Sequence, residues 1–115
     1  MYSAELLDHF QHPRNAGELA DATARAHIEN PACGDILELT ASIADGNIRD
    51  IRFRAKGCVP AMACASAITE LAKGKSVEQA RTIDKQDVIT AVAGLPPASG
   101  HAAQLAIDAL RVVLK

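Results

Sequence analysis

Apolar residues near the start of the chain recur at helical spacing. Leu6, Leu7 and Phe10 share one face at i, i+3 and i+4 intervals, which is typical of a helix with one buried side. Pro13 cannot continue such a helix, because it lacks a backbone N–H and clashes with the preceding turn. The pattern therefore predicts a helix over residues 3–11, followed by a loop.

Two later stretches alternate between apolar and polar residues, as half-buried strands do. The inward-facing positions are Leu37, Leu39, Ala41 and Ile43 in residues 35–43, and Ile51, Phe53 and Ala55 in residues 48–55. Asp45-Gly46-Asn47 between them is a hairpin-turn sequence. Residues 23–29 are predicted to form a third antiparallel strand.

Helix start and stop signals crowd the second half of the chain. Pro60 fits the first turn of a helix, where its missing N–H costs nothing, and Gly74 suits the C-terminal cap of that helix. Ser76 followed three residues later by Gln79 is a capping box that opens a short helix. These signals predict two successive helices after the strands.

Two further helices complete the predicted order. Asp84 is placed to cap a helix that ends near Gly94, and Ser99 to cap a last helix that ends at about Leu114. Leu95-Pro96-Pro97 between them is expected to be extended, because a residue before proline avoids the α region. Grouped strands followed by grouped helices predict an α+β fold, a small three-stranded antiparallel sheet packed against several helices.

Composition narrows the classes of function. The 115 residues fit a single domain, 1–115, and a net charge of −2 provides no basic face for nucleic acid. No apolar run reaches the length of a transmembrane helix, and the first residues do not resemble a signal peptide. Three cysteines without an export signal favour reduced thiols in the cytoplasm. Neither nucleic acid nor membrane is expected as a partner.

The segment before the second predicted strand carries the first candidate metal ligands. Residues two apart in an extended segment face the same side, so Cys33 and Asp35 point together. Asp35 also shares its side of the strand with the core-facing residues, and a carboxylate there is costly unless it is paired or bound to a cation. Both side chains are therefore candidate metal ligands.

Two more candidate ligands stand at predicted helix starts. Cys58 follows Gly57 at the junction from strand to helix, where the helix dipole favours the thiolate. His101 lies in the first turn of the last helix, which disfavours its protonated form and leaves it able to bind a metal. Thiolate, imidazole and carboxylate ligands suit zinc or an iron–sulfur cluster.

Several motifs resemble those of the iron–sulfur cluster assembly scaffold proteins of the IscU / NifU N-terminal type. The similar segments are Asp8-His9-Phe10-Gln11-His12-Pro13-Arg14-Asn15-Ala16-Gly17, Pro31-Ala32-Cys33-Gly34-Asp35, Gly57-Cys58, Lys73-Gly74-Lys75-Ser76-Val77-Glu78-Gln79-Ala80, and Leu95-Pro96-Pro97 followed by His101. Together they extend over nearly the whole chain. The fold that the resemblance implies, a small antiparallel sheet packed by helices, agrees with the predicted elements.

The resemblance implies a scaffold for a [2Fe–2S] cluster and not an enzyme. It implies that sulfur arrives as persulfide from a cysteine desulfurase, and that the cluster passes to acceptor proteins. By the same resemblance, the cluster or its iron binds Cys33, Asp35, Cys58 and His101. This chain has Ala102 where the family has a third cysteine that accepts sulfur. The cluster could therefore be shared between two copies of the chain in a homo-oligomer.

Other interpretations of the same residues stay open. A zinc-binding relative that no longer assembles clusters is the main alternative, and a thiol enzyme with Cys58 as nucleophile is a lesser one. Cys64 has the helical spacing of a core residue, yet it could replace the missing cysteine. His9 and His12 are expected to be exposed at a helix end.

The strand residues Arg52, Arg54 and Lys56 form a basic face. The simplest interpretation is a solvated sheet surface, and the functional alternative is a docking patch for an acidic partner.

Overall fold

The predicted order of elements is present in the computed structural model, which describes residues 1–31 and 34–115. The elements are α1 (Ala4–Gln11), β1 (Ala24–Asn30), β2 (Asp35–Ala44), β3 (Asn47–Lys56), α2 (Val59–Ala72), α3 (Val77–Ala80), α4 (Lys85–Ala91), a 3₁₀ turn (Pro97–Ser99) and α5 (Gly100–Val113). The α+β prediction is confirmed.

The sheet is antiparallel with strand order β1-β2-β3. Asp45 and Gly46 connect β2 to β3, and both have positive φ angles, 54° and 74°. A two-residue turn of this kind matches the right-handed twist of the strands, which is why Asp-Gly favours a tight hairpin. The turn therefore sets the β2–β3 register.

The alternation in β2 holds from Leu37 to Ala41 except at Thr40, and the strand register shifts between Ser42 and Ile43, which are both half-buried. Leu37, Leu39 and Ala41 are buried as predicted, but Thr40, which the alternation places on the opposite face of the strand, is also buried. The loop after α1 crosses the outer face of the sheet, and the backbone N–H of Leu19 donates to the Thr40 hydroxyl at 3.0 Å. The hydroxyl of Thr40 thus has a hydrogen-bond partner from the loop after α1, and the alternation within β2 contains no signal for that loop.

Helix α2 lies at the centre of the helical layer. It packs against α1, β3, α4 and α5, and it is buried on most of its surface by small residues such as Ala63, Ala65 and Ala67. A helix that is apolar on all sides belongs inside a protein. The position of α2 therefore fixes where its N-cap residue, Cys58, lies at the end of the sheet.

His9 is buried, so the prediction of an exposed helix-end residue is wrong for it. It is only 5% exposed, and its Nδ1 lies 2.8 Å from the Ser66 hydroxyl of α2. The same hydroxyl accepts a hydrogen bond from the backbone N–H of Arg14. Burial lowers the pKa of His9. The histidine thus fastens α1 to the central helix, whereas His12 is exposed.

The helix caps follow the sequence signals with one exception. Ser76 and Asp84 each form the complete capping box with the residue three positions later. Ser99 stands at the N-cap of α5, but its side chain makes no capping hydrogen bond. The extended segment ends at Pro96, because residues from Pro97 on turn into a short 3₁₀ helix that leads directly into α5. The predicted cap by the Ser99 side chain is therefore absent.

Candidate metal site

Asp35 is the first residue of β2. It lies at the end of the sheet near which α2 and α5 begin. Its side chain is buried, with the residue 1% exposed. Oδ1 accepts a hydrogen bond of 3.0 Å from the backbone N–H of Cys58, and Oδ2 lies 3.4 Å from the Cys58 sulfur. A buried carboxylate is tolerated only with such partners. Asp35 therefore ties the start of β2 to the start of α2.

Gly57 makes this close approach possible. A Cβ on Gly57 would lie 2.1 Å from Oδ1 and 2.7 Å from Cγ of Asp35, and the residue has φ +150°. No other residue type fits there without moving the carboxylate. From the sequence alone, Gly57 marks only the junction from strand to helix. The one signal for a role in the site is its position directly before the candidate ligand Cys58.

Cys58 stands at the N-cap of α2 with an exposed thiol. Its side chain does not cap the helix, so the thiol is not engaged with the helix's own first N–H groups. The positive end of the helix dipole lies beside the sulfur and favours a negative charge there. The predicted position of Cys58 at the junction from strand to helix is confirmed.

His101, the second residue of α5, brings a third ligand type to the same point. Its Nε2 lies 4.0 Å from the Cys58 sulfur and 3.5 Å from Asp35 Oδ2. The imidazole is 36% exposed on the open side of the site. Thus three of the predicted ligands, from β2, α2 and α5, converge.

The separations among these three side chains suit a metal ion. Their ligand atoms all lie within 4.8 Å of one another. Ligands at the usual zinc–sulfur and zinc–nitrogen distances around a tetrahedral ion stand about 3.6 Å apart. The spacing of Asp35, Cys58 and His101 is close to that value. A set of oxygen, sulfur and nitrogen donors can bind zinc or iron. The fourth predicted ligand, Cys33, lies outside the described residues.

Cys64, also on α2, does not take part in this site. It is fully buried in the core, and burial raises the pKa of its thiol to about 12. The prediction of a core residue is confirmed. Ala102, which follows His101, is 1% exposed. The described part of the chain therefore brings one accessible thiol to the site.

The basic strand face is largely neutralised within the chain. Arg54 pairs with Glu18 at 3.2 Å and Arg52 with Asp50 at 3.6 Å. Pairing of this kind favours the solvated sheet surface over a docking patch for an acidic partner.

Among the described residues, the longest helices fall short of the length and apolar character needed to cross a membrane.

Comparisons with known proteins agree with the motifs. The family model described as the NifU-like N terminal domain matches residues 1–115. The iron-sulfur cluster assembly scaffold protein IscU 1 of Archaeoglobus fulgidus is 44% identical over 96% of this chain and 72% of its own length. The scaffold protein IscU of Aquifex aeolicus is 39% identical over 99% of this chain and 74% of its own.

A solved structure shares the fold. It comes from Fervidobacterium islandicum AW-1, is described as an iron-sulfur cluster assembly scaffold protein for the SUF system, and has a TM-score of 0.84 at 21% identity, covering 99% of this chain and 96% of its own. Both sequence relatives are named as scaffolds and not as enzymes, which agrees with the prediction of a non-enzymatic protein. On the family match and the sequence identities, the chain belongs to the NifU-like N-terminal domain family.

Proposed function

We propose that this protein is a scaffold on which an iron–sulfur cluster is assembled and from which the cluster passes to acceptor proteins. The observation that carries the proposal is the convergence of Asp35, Cys58 and His101 within 4.8 Å at the end of the sheet. The names of the family relatives support it, because they are called iron-sulfur cluster assembly scaffolds.

A [2Fe–2S] cluster is the proposed cargo, held by Cys33, Asp35, Cys58 and His101. Two tetrahedral iron ions that share two bridging sulfides need two protein ligands each. Two ferric ions and two sulfides assemble into this cluster with no net transfer of electrons. Four protein ligands therefore suffice without a cysteine at position 102.

The ligand set suits a cluster that must leave again. Cys58 and His101 lie on the accessible side of the site. Asp35 is already satisfied by the backbone N–H of Cys58, so the empty site keeps an ordered partner for its carboxylate. A carboxylate and an imidazole are also harder ligands than thiolates and hold a sulfur-rich cluster less firmly.

A cysteine desulfurase is the proposed source of sulfur. Sulfur that arrives as persulfide must gain two electrons per atom to become sulfide, and a thiol reductant or an electron carrier must supply them. Cys58 is the described thiol able to meet such a donor, because Cys64 is buried with a strongly raised pKa. We place this chemistry in the cytoplasm, in one scaffold unit formed by residues 1–115.

The test is anaerobic reconstitution with ferric iron and sulfide. We expect a visible chromophore with equal amounts of iron and sulfide in the wild type. Cys33→Ser, Cys58→Ser, Asp35→Ala and His101→Ala should weaken or abolish it. Cys64→Ala should keep it, since that side chain is buried away from the site. Loss in Cys64→Ala with the fold intact, or retention in Cys58→Ser, would refute the ligand set.

Zinc binding without cluster assembly is the second candidate function. It is favoured by the separations of 3.4, 3.5 and 4.0 Å among the three side chains, which suit a single ion. A colourless protein that holds zinc through the same residues, and does not exchange it for iron and sulfide, would establish this alternative.

A further inference from the structure

A groove opens beside His101 and extends between the end of β1 and the first turns of α5. Its volume is about 410 Å³. Pro31, near the end of the described N-terminal part, lines it together with Ile28, Lys85 and Leu105. His101 belongs both to this groove and to the candidate site, so the groove borders the site on its histidine side.

Lys85 provides a positive charge at this entrance. Its Nζ lies 3.8 Å from the position that a Cβ of Gly100 would occupy, directly before His101. Within residues 1–31 and 34–115, Lys85 forms no ion pair. The ammonium group therefore lies beside the start of α5 with no described carboxylate within ion-pair distance.

Helix stability does not explain a lysine at this position. Lys85 is the first residue of α4, and a cation at a helix N-terminus opposes the helix dipole. Asp84 and Asp87 already complete the capping box of that helix. The positive charge of Lys85 therefore does not stabilise α4.

Two carboxylates, Glu29 and Asp108, also line the groove, and each has a hydrogen-bond partner of its own. Glu29 lies 3.0 Å from His27, and hydrogen bonding to Glu29 raises the pKa of that histidine. Asp108 accepts a hydrogen bond from Gln104, and it stands seven residues beyond His101 on α5, roughly 10 Å along the helix. Lys85 is the charged side chain of the groove nearest the start of α5.

We propose that Lys85 attracts hydrosulfide, the form of sulfur left once a delivered persulfide has been reduced, into this groove and holds it beside Cys58 and His101 during cluster assembly. The inference rests on the scaffold function proposed above, and it assigns Lys85 the role of an electrostatic positioning residue. Hydrosulfide is a small anion, and a cation at the mouth of a cleft raises the local concentration of such a substrate. The start of α2 behind Cys58 adds a favourable dipole.

The first test measures the local charge in the protein without metal. Cys58 is alkylated with anionic iodoacetate and with neutral iodoacetamide, and modification at each cysteine is followed by mass spectrometry. In Lys85→Gln we expect the iodoacetate-to-iodoacetamide rate ratio at Cys58 to fall about twofold to threefold at low salt. Lys85→Arg should keep the wild-type ratio, and high salt should remove the difference.

Lys75→Gln is the matched control. It makes the same change of charge at an exposed lysine, but Lys75 follows the far end of α2, and that helix of 14 residues is roughly 20 Å long. An unchanged ratio in Lys85→Gln, or an equal fall in Lys75→Gln, overturns the role of Lys85. This result does not depend on whether the protein assembles clusters.

The second test measures the initial rate of chromophore formation from ferric iron at limiting sulfide. We expect Lys85→Gln to slow assembly about twofold to threefold at low salt while it reaches the wild-type iron and sulfide content. Equal rates in Lys85→Gln and wild type overturn the inference and leave the scaffold function standing. If no variant, wild type included, forms a chromophore, it is the scaffold function that fails.

Discussion

Cys58 and Cys64 lie on the same helix, less than two turns apart, in opposite chemical environments. Cys58 is exposed at the N-cap, beside Asp35 and His101. Cys64 faces the core, where burial raises the pKa of its thiol to about 12. Position along α2, and not residue type, therefore decides whether a thiol reaches the candidate metal site or fills the core.

Gly57→Ala should disrupt the Cys58 environment most severely. The added Cβ would lie 2.1 Å from Asp35 Oδ1, so the carboxylate or the strand end must move. We expect a loss of about 2–4 kcal/mol in the free energy of unfolding together with loss of metal binding. Denaturant unfolding and a zinc titration measure the two effects. Gly46→Ala is the control, because a Cβ there meets no neighbouring atom although the turn is strained. Normal metal binding by Gly57→Ala would contradict the proposed contact.

Substitution of the two cysteines should separate binding from stability. Cys58→Ser should weaken zinc or iron binding by more than about 100-fold, beyond what loss of an outer contact costs. Cys64→Ala should leave metal affinity unchanged and lower the free energy of unfolding by about 1–2 kcal/mol, since it removes a buried sulfur. Competition with a coloured chelator and urea unfolding provide the two measurements. Normal metal affinity in Cys58→Ser together with weakened metal binding in Cys64→Ala would contradict the roles assigned to the two cysteines.

Alkaline pH should expose the buried thiol of Cys64. The pKa of this thiol is about 12 in the folded protein, against an ordinary value of 9.0. Above pH 9 the unfolded chain loses this proton first, so stability falls as pH rises toward 12, by about 1.4 kcal/mol per pH unit. Urea unfolding between pH 8 and pH 10.5, about the range that equilibrium measurements tolerate, should show this slope in the wild type but not in Cys64→Ala. Equal slopes in the two proteins would place the thiol outside the core.

His9 should produce a smaller effect on the acid side. Its pKa is lowered from 6.5 because burial disfavours the imidazolium. The unfolded chain therefore binds the proton first, so this contribution to stability is complete above pH 6.5 and declines as pH falls toward the folded pKa. Thermal unfolding of His9→Gln should show a weaker acid dependence than wild type. His12→Gln, at an exposed position, is the control and should keep the wild-type profile.

Local sequence signals predicted most of the fold because they act over a few residues. The Asp45-Gly46 turn, the capping boxes at Ser76 and Asp84, and the period-two strands each follow from short-range sterics or hydrogen bonding. The prediction that His9 is exposed was wrong, because its burial depends on Ser66 of α2, which is distant in the sequence. Thr40 was misassigned for the same reason, since a separate loop covers it.

The candidate site was predictable in its residues but not in its construction. The inward-facing side of β2 indicated Asp35, and the predicted helix starts indicated Cys58 and His101. The structure brings these three side chains together. The dependence of Asp35 on a glycine at position 57 required the three-dimensional contact. Lys85 carries no local signal, because its relation to His101 arises only when α4 packs on α5.

The most direct test of the central claim is a count of iron, acid-labile sulfide and zinc in protein isolated anaerobically without added metal. Wild type and Cys58→Ser are compared, with Cys64→Ala as control. The scaffold account predicts iron and sulfide in equal amounts in wild type and Cys64→Ala, and neither in Cys58→Ser. Zinc alone in the wild type, or iron and sulfide retained in Cys58→Ser, would contradict it.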